Sequence, residues 1–207
     1  MKKKFLSLMM AAAVVATTSV NAFASSDATV GENGGSVEVK ITGTVNNELD
    51  KAPEGTINVT VPTALTFTVT KGGNFTGSSL TITNNGSEDV DVFAYEFRDK
   101  NSTKGINVKK QLQDEDNRSN VKLNLSGNIG IANFASDATG KGVYDANLDA
   151  ATEDGVKLAR IDKLGSSQNT GKLTLDGEAG KNTNTTVEKG IREDFTVKLK
   201  IKKASEN

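Results

Sequence analysis

The chain has no cysteine, no histidine and no tryptophan, and its three methionines are Met1, Met9 and Met10. Without cysteine there is no disulfide, so stability has to come from packing. Without histidine, the Ser-His-Asp and Cys-His nucleophile systems and histidine-ligated metal sites are excluded. Carboxylates, lysines, tyrosines and hydroxyls remain, and no catalytic motif arranges them. We therefore expect a protein that is not an enzyme and that has no cofactor.

The N-terminus has the three parts of a secretory signal. Lys2, Lys3 and Lys4 form a basic region, residues 5–20 are apolar or small, and the A-x-A sequence at 22–24 is a cleavage site. The apolar run is short for a span of about 20 residues. We expect residues 1–24 to be a bacterial-style signal peptide. The product is then secreted, extracellular and cell-surface associated, with no membrane span after signal removal.

The charge balance is close to neutral. The chain has 25 basic and 26 acidic residues, a net charge of −1, and loss of the signal peptide would remove three lysines. Proteins that bind nucleic acid present a basic surface to the phosphates. The composition therefore predicts no nucleic-acid partner.

Apolar residues alternate with polar ones along most of the chain. Ile57, Val59 and Val61 alternate with threonine and asparagine, and residues 195–202 alternate in the same way. A period of two with β-branched residues is typical of half-buried strands. We predict an all-β protein, an antiparallel β-sandwich of the jelly-roll or Ig-like kind with roughly nine or ten strands. A flexible leader at residues 25–35 would precede a single domain at residues 36–207.

The phase of the pattern changes between residues 90 and 97. Val90 and Val92 share one face of a regular strand, and Phe93, Tyr95 and Phe97 share the other. Either a β-bulge near Val92 and Phe93 shifts the register, or both faces are covered. Because the chain is poor in aromatic residues, we expect the three rings to belong to the core rather than to a carbohydrate-binding platform.

The first predicted strand carries Val37, Val39 and Ile41 and follows the flexible leader. It is either the first strand of the chain's own sandwich or a detachable assembly strand. In the second case it would complete the sheet of a neighbouring subunit, as donor strands do in pilins.

Three further features are candidates for binding. Tyr144 lies in a polar insertion and is a possible glycan contact. The sequence Asp145-Ala146-Asn147-Leu148-Asp149 begins like a calcium loop. Ala150 replaces the glycine of an EF-hand, however, so only an irregular site formed by Asp145, Asn147 and Asp149 is considered. The lysine row at 198, 200 and 202 is either a solvated outer face, which discourages edge-to-edge aggregation, or a site for an acidic polymer.

Two segments resemble known families. Residues 80–92 (LTITNNGSEDVDV) resemble a hairpin common in bacterial extracellular β-sandwiches and are similar to the corresponding part of the TasA/camelysin family. Members of that family are secreted jelly-roll or sandwich proteins, and some are subunits of biofilm fibres. Residues 59–67 (VTVPTALTF) resemble the opening of WxL-type surface domains, although the chain contains no Trp-x-Leu motif.

These observations lead to two functional hypotheses. The first is a self-associating structural protein of an extracellular filament or matrix, pilus-like in its use of an N-terminal strand, with copies of itself or other surface proteins as partners. The alternative is a carbohydrate-binding or adhesive module, with a polysaccharide as its partner and Tyr144 as the exposed aromatic contact.

Overall fold

The computed structural model describes residues 27–30, 35–40, 57–99, 105–136, 141–148, 150, 153–183 and 191–205. The predicted signal peptide lies outside these residues. The described residues form fourteen strands and no helix, so none of them belongs to a helix that could cross a membrane. In chain order the strands are β1 (Asp27–Val30), β2 (Gly35–Lys40), β3 (Val59–Pro62), β4 (Phe67–Val69), β5 (Phe75–Gly77), β6 (Ser79–Asn84), β7 (Val90–Asp99), β8 (Asn107–Val108), β9 (Asn120–Ser126), β10 (Ile131–Phe134), β11 (Val143–Asp145), β12 (Val156–Ile161), β13 (Thr170–Ala179) and β14 (Phe195–Lys203).

The all-β class is confirmed, but the expected strand count was too low. β4, β5 and β11 have three residues each, and β8 has two. Alternation with a period of two cannot be recognised over so few residues. β1 lies within the segment that the sequence predicted to be a leader, and its four residues, Asp27 to Val30, are too few for alternation to stand out.

The strands form three sheets. The eight-stranded sheet has the order β1-β3-β6-β13-β9-β10-β11, with β8 beside β9, and the four-stranded sheet has the order β12-β7-β14-β2. β4 and β5 form a separate two-stranded sheet. All strand pairs are antiparallel except β8 with β9. Buried residues of the two larger sheets belong to one hydrophobic cluster.

Five phenylalanine rings run through this core and connect all three sheets. Phe97 of β7 stacks on Phe134 of β10, with ring centroids 4.8 Å apart, and on Phe195 of β14 at 5.7 Å. Phe67 of β4 lies 6.1 Å from Phe195 and stacks on Phe75 of β5 at 5.4 Å. Phe97, Phe134 and Phe195 are fully buried. The row therefore joins the eight-stranded sheet, the four-stranded sheet and the β4–β5 hairpin.

A bulge sets the phase of β7, and it lies further along the strand than Val92 and Phe93. Glu96 pairs with Lys198 and Ala94 with Leu199, so Tyr95 is the extra residue. Phe97 consequently joins Val90 and Val92 in the core. The expectation that all three rings are core was wrong for Phe93 and Tyr95. These two are half-buried on the other face, where Lys202 and Lys200 lie over them at 5.7 and 5.0 Å.

The Asn-Asn-Gly turn after β6 is a corner between sheets and not a hairpin, because β6 and β7 belong to different sheets. Asn84 is fully buried at this corner. Its amide nitrogen donates to the carbonyls of Glu88 (2.7 Å) and Asp162 (3.0 Å), and its side-chain oxygen accepts from the Gly86 amide at 2.9 Å. Asn84 thus ties the end of β6 to the end of β12 and directs the chain into the second sheet.

The position of the bulge predicts different costs for two similar substitutions. Phe97→Ala removes a ring stacked on two others and should lower the free energy of unfolding by about 3–5 kcal/mol. Phe93→Ala removes a half-exposed ring under one lysine and should cost about 1 kcal/mol. Urea unfolding of both variants checks this. Equal costs would show that the register of β7 is wrong.

Candidate functional site

The N-terminal strands lie at one edge of each large sheet. β2 pairs with β14 over six positions, from Gly35 opposite Ile201 to Lys40 opposite Thr196. β1 pairs with β3 over four positions. Only residues 31–34 separate these strands in the chain, so the N-terminal segment passes from the edge of one sheet to the edge of the other. Val37 and Val39 of the predicted assembly strand lie in β2, and Ile41 lies outside the described residues.

The side of β2 that faces away from β14 makes no backbone hydrogen bond with the described residues. A strand edge of this kind presents N–H and C=O groups to another chain. We call this side of β2 the N-terminal edge.

The opposite edge of the same sheet, formed by β12, is closed. The Asn128 side chain donates to the Arg160 carbonyl (3.1 Å) and accepts from the Arg160 amide (3.2 Å), as a neighbouring strand would. The amides of Ile129 and Gly130 both donate to the Leu158 carbonyl, at 2.9 and 3.1 Å. The β9–β10 turn therefore occupies the Leu158 carbonyl and the Arg160 amide and carbonyl of β12.

This closure depends on glycine at the turn. A Cβ at Gly130 would lie 2.3 Å from the Lys157 carbonyl oxygen, and one at Gly127 would lie 2.3 Å from that of Leu158. Any side chain would push the turn away from β12. Within the described residues the two edges of the four-stranded sheet thus differ, since a turn bonds to the outer side of β12 and no strand pairs with the outer side of β2.

The lysine row of β14 does not lie on an edge strand, because β14 runs between β7 and β2. Lys198 pairs with Glu96 of β7 at 3.0 Å, and Glu96 also pairs with Arg98. Lys198 lies opposite Glu38 of β2 in the strand register. The lysines become an edge feature only when β2 is displaced from β14.

Glu96 is 8% exposed, and its ionisation is tied to this strand pair. Burial raises the pKa of Glu96, but hydrogen bonds and charge from Lys198 and Arg98 outweigh burial, and the net pKa lies below its ordinary value. The ionised form is therefore the one that stabilises the outer face of β7 and β14.

Tyr144 and the calcium candidates lie in and after β11. Tyr144 is half-buried, with the Lys110 ammonium 4.7 Å from its ring centroid. Asp145 accepts hydrogen bonds from the amides of Asn147 (2.8 Å) and Leu148 (3.1 Å), so this carboxylate shapes the turn that follows β11. Asp149 lies outside the described residues. No group of three acidic residues that could hold a metal occurs in the residues described, and the calcium site stays a prediction.

The acidic run at residues 114–116 contains a structural carboxylate. Asp116 is 3% exposed, pairs with Lys109 and accepts from the Gln113 amide at 2.8 Å. Burial raises the pKa of Asp116, while Lys109 and the Gln113 amide lower it, and the net pKa is below the ordinary value. Asp116 thus serves to close its own loop.

Comparison with protein-family models, with curated proteins and with solved structures finds no match for this chain.

The lowered pKa of Glu96 predicts a pH-dependent contribution to stability. A carboxylate whose pKa falls on folding stabilises the fold above its unfolded pKa, about 4.3 for glutamate, and this contribution is lost as the pH falls through the folded value. Glu96→Gln should therefore cost about 1–2 kcal/mol at neutral pH, since the charged hydrogen bonds weaken. The difference from wild type should shrink below about pH 4.

Chemical denaturation across this pH range measures the effect. The matched control is Glu153→Gln, since Glu153 is exposed and has no ion pair in the described residues. A gap between wild type and Glu96→Gln that stays constant down to low pH would contradict the assignment.

Proposed function

We propose that this chain is a secreted structural protein that assembles with copies of itself into an extracellular filament or matrix at the cell surface. Its folded part would be a β-sandwich of the jelly-roll or Ig-like kind, and the shared core of the two large sheets supports this architecture. Assembly would proceed by exchange of the N-terminal strand. The observation that carries the proposal is the position of β2. It precedes the other strands of its sheet in the chain, lies at the end of that sheet and pairs there with β14.

The interactions of β2 can be reproduced between two copies. β2 and β14 share six registered positions. At about 1 kcal/mol for each net hydrogen bond, a ladder of this length contributes several kcal/mol. The same ladder forms when β2 of one copy pairs with β14 of another, so the exchange conserves the hydrogen bonds that the fold requires.

When β2 is displaced, the exposed edge of β14 can accept β2 of another copy, and this pairing is more favourable than an unpaired edge. The N–H and C=O groups of β14 that face β2 would lose their partners, and unpaired strand edges associate readily. Donor and acceptor are different surfaces of the molecule, so each copy offers one of each. Head-to-tail contacts of this kind produce open chains unless the rotation closes a ring. Because the β9–β10 turn bonds to β12, we expect copies to add to the four-stranded sheet at β14 and not at β12.

Two single-cysteine variants test whether β2 pairs in trans. Ser36 of β2 lies opposite Lys200 of β14, and the chain has no cysteine of its own. Registered neighbours on adjacent strands lie within disulfide range. When Ser36→Cys and Lys200→Cys proteins are mixed under assembly conditions and oxidised, we expect disulfide-linked heterodimers on a non-reducing gel. Negative-stain electron microscopy and light scattering of the same sample report filaments or oligomers.

The matched control uses a pair inside the eight-stranded sheet. Thr81 of β6 lies opposite Lys172 of β13, and both are exposed. A mixture of Thr81→Cys and Lys172→Cys proteins should give no heterodimers above background, because neither strand is expected to exchange. Filaments without a disulfide between positions 36 and 200 would refute strand exchange. A protein that stays monomeric at all concentrations would refute self-assembly.

A further inference from the structure

Four polar residues form a straight row across four strands of the eight-stranded sheet. Tyr144 of β11 pairs with Asn133 of β10, Asn133 with Asn124 of β9, and Asn124 with Asp176 of β13. Adjacent strands lie about 4.8 Å apart, so the row is roughly 14 Å long. We call these four residues the polar row. They are far apart in the chain, and only the register of the sheet brings them together.

The polar row lies on the outer face of the sheet. Side chains alternate between the two faces of a strand, and the neighbours of the row are buried in the core. These neighbours are Leu123, Leu125, Ala132, Phe134, Val143 and Leu175. The row therefore faces away from the core, on the sheet that does not contain the N-terminal edge.

Asn133 is the unusual member of the row. It is only 7% exposed, yet its side-chain amide forms no hydrogen bond with the described residues. Buried polar groups nearly always have a partner, because an unmade hydrogen bond costs about 1–3 kcal/mol. The amide is not among the fully enclosed polar atoms that lack a partner, so it still reaches solvent. Asn133 thus places at the sheet surface a nearly buried amide that forms no hydrogen bond with the described residues.

The other members supply complementary groups beside that amide. The Tyr144 hydroxyl and the Asn124 amide form no hydrogen bond with the described residues. Asp176 is exposed, and one of its carboxylate oxygens accepts from the Gly177 amide at 2.7 Å. Lys110 lies over the Tyr144 ring, 4.7 Å from its centroid. The row therefore offers a phenol, two amides and a carboxylate in succession, with the aromatic ring of Tyr144 at one end.

We propose that the polar row binds a saccharide chain that lies across β11, β10, β9 and β13. A hydroxyl group both donates and accepts, and so do the two amides and the phenol, while the carboxylate accepts. Vicinal hydroxyls suit a row of such groups, and the length of the row suits several linked sugars. The Asp176 carboxylate disfavours phosphate-rich partners such as nucleic acid. The site is separate from strand exchange and does not depend on it.

The first test is a screen followed by a titration. The full-length chain is expressed, and the purified product is applied to an array of neutral and acidic oligosaccharides. The strongest hit is then titrated against a Tyr95→Phe variant. The chain has no tryptophan and two tyrosines, so Tyr144 is then the only tyrosine, and its fluorescence reports binding. We expect a saturable change in emission, and an array without a hit would overturn the proposal.

Substitutions then separate binding from folding. Asn133→Leu should reduce affinity for the hit at least tenfold, while stability stays unchanged or rises, because the Asn133 side chain forms no hydrogen bond with the described residues. Tyr144→Ala should also weaken binding. Its matched control is Tyr95→Ala, since Tyr95 is the other tyrosine and also lies under a lysine, but on the four-stranded sheet. Binding that survives Asn133→Leu and Tyr144→Ala, or that is lost equally in Tyr95→Ala, would exclude the polar row as the site.

Discussion

The row of five phenylalanines is the interaction on which the rest of the structure depends. The chain has no cysteine, so no disulfide holds its sheets together. Phe134, Phe97 and Phe195 stack in sequence at the centre of the core, and Phe67 and Phe75 extend the row to the β4–β5 hairpin. Burial of such rings dominates the energetics of a core, and stacking adds to it. The bulge at Tyr95 is what turns Phe97 inward, so one extra residue in β7 completes the row.

The two edges of the four-stranded sheet differ in structure. Asn128 supplies a donor and an acceptor to Arg160, and Gly127 and Gly130 let the β9–β10 turn approach β12 closely enough to seal it. The other edge is formed by β2, which pairs with β14 and with no further strand among the described residues. Edge strands are sites of association unless they are blocked. An edge that is blocked by an internal turn and one that is covered by a terminal strand have different consequences for assembly.

Alternation in the sequence was sufficient to predict the long strands. β9, β13 and β14 follow it closely, because the apolar face of each is buried and most residues of the other face are partly or fully exposed. It was insufficient where a single residue decides the geometry. The bulge at Tyr95, the corner at Asn84 and the closure of β12 by Asn128 depend on distant partners such as Lys198, Asp162 and Arg160. The polar row could not be recognised either, since its members meet only through strand register.

Asn84 and Asn133 are two asparagines that differ in their hydrogen bonds. Both are nearly or fully excluded from solvent. Asn84 donates to Glu88 and Asp162 and accepts from Gly86, so its burial is compensated and it fixes a corner between the two sheets. Asn133 receives no such compensation from the described chain. Replacing Asn84 with an apolar residue would leave three backbone groups without a partner, whereas the same change at Asn133 leaves none. If the polar row binds a saccharide, the ligand supplies the hydrogen bonds that the described residues do not give Asn133.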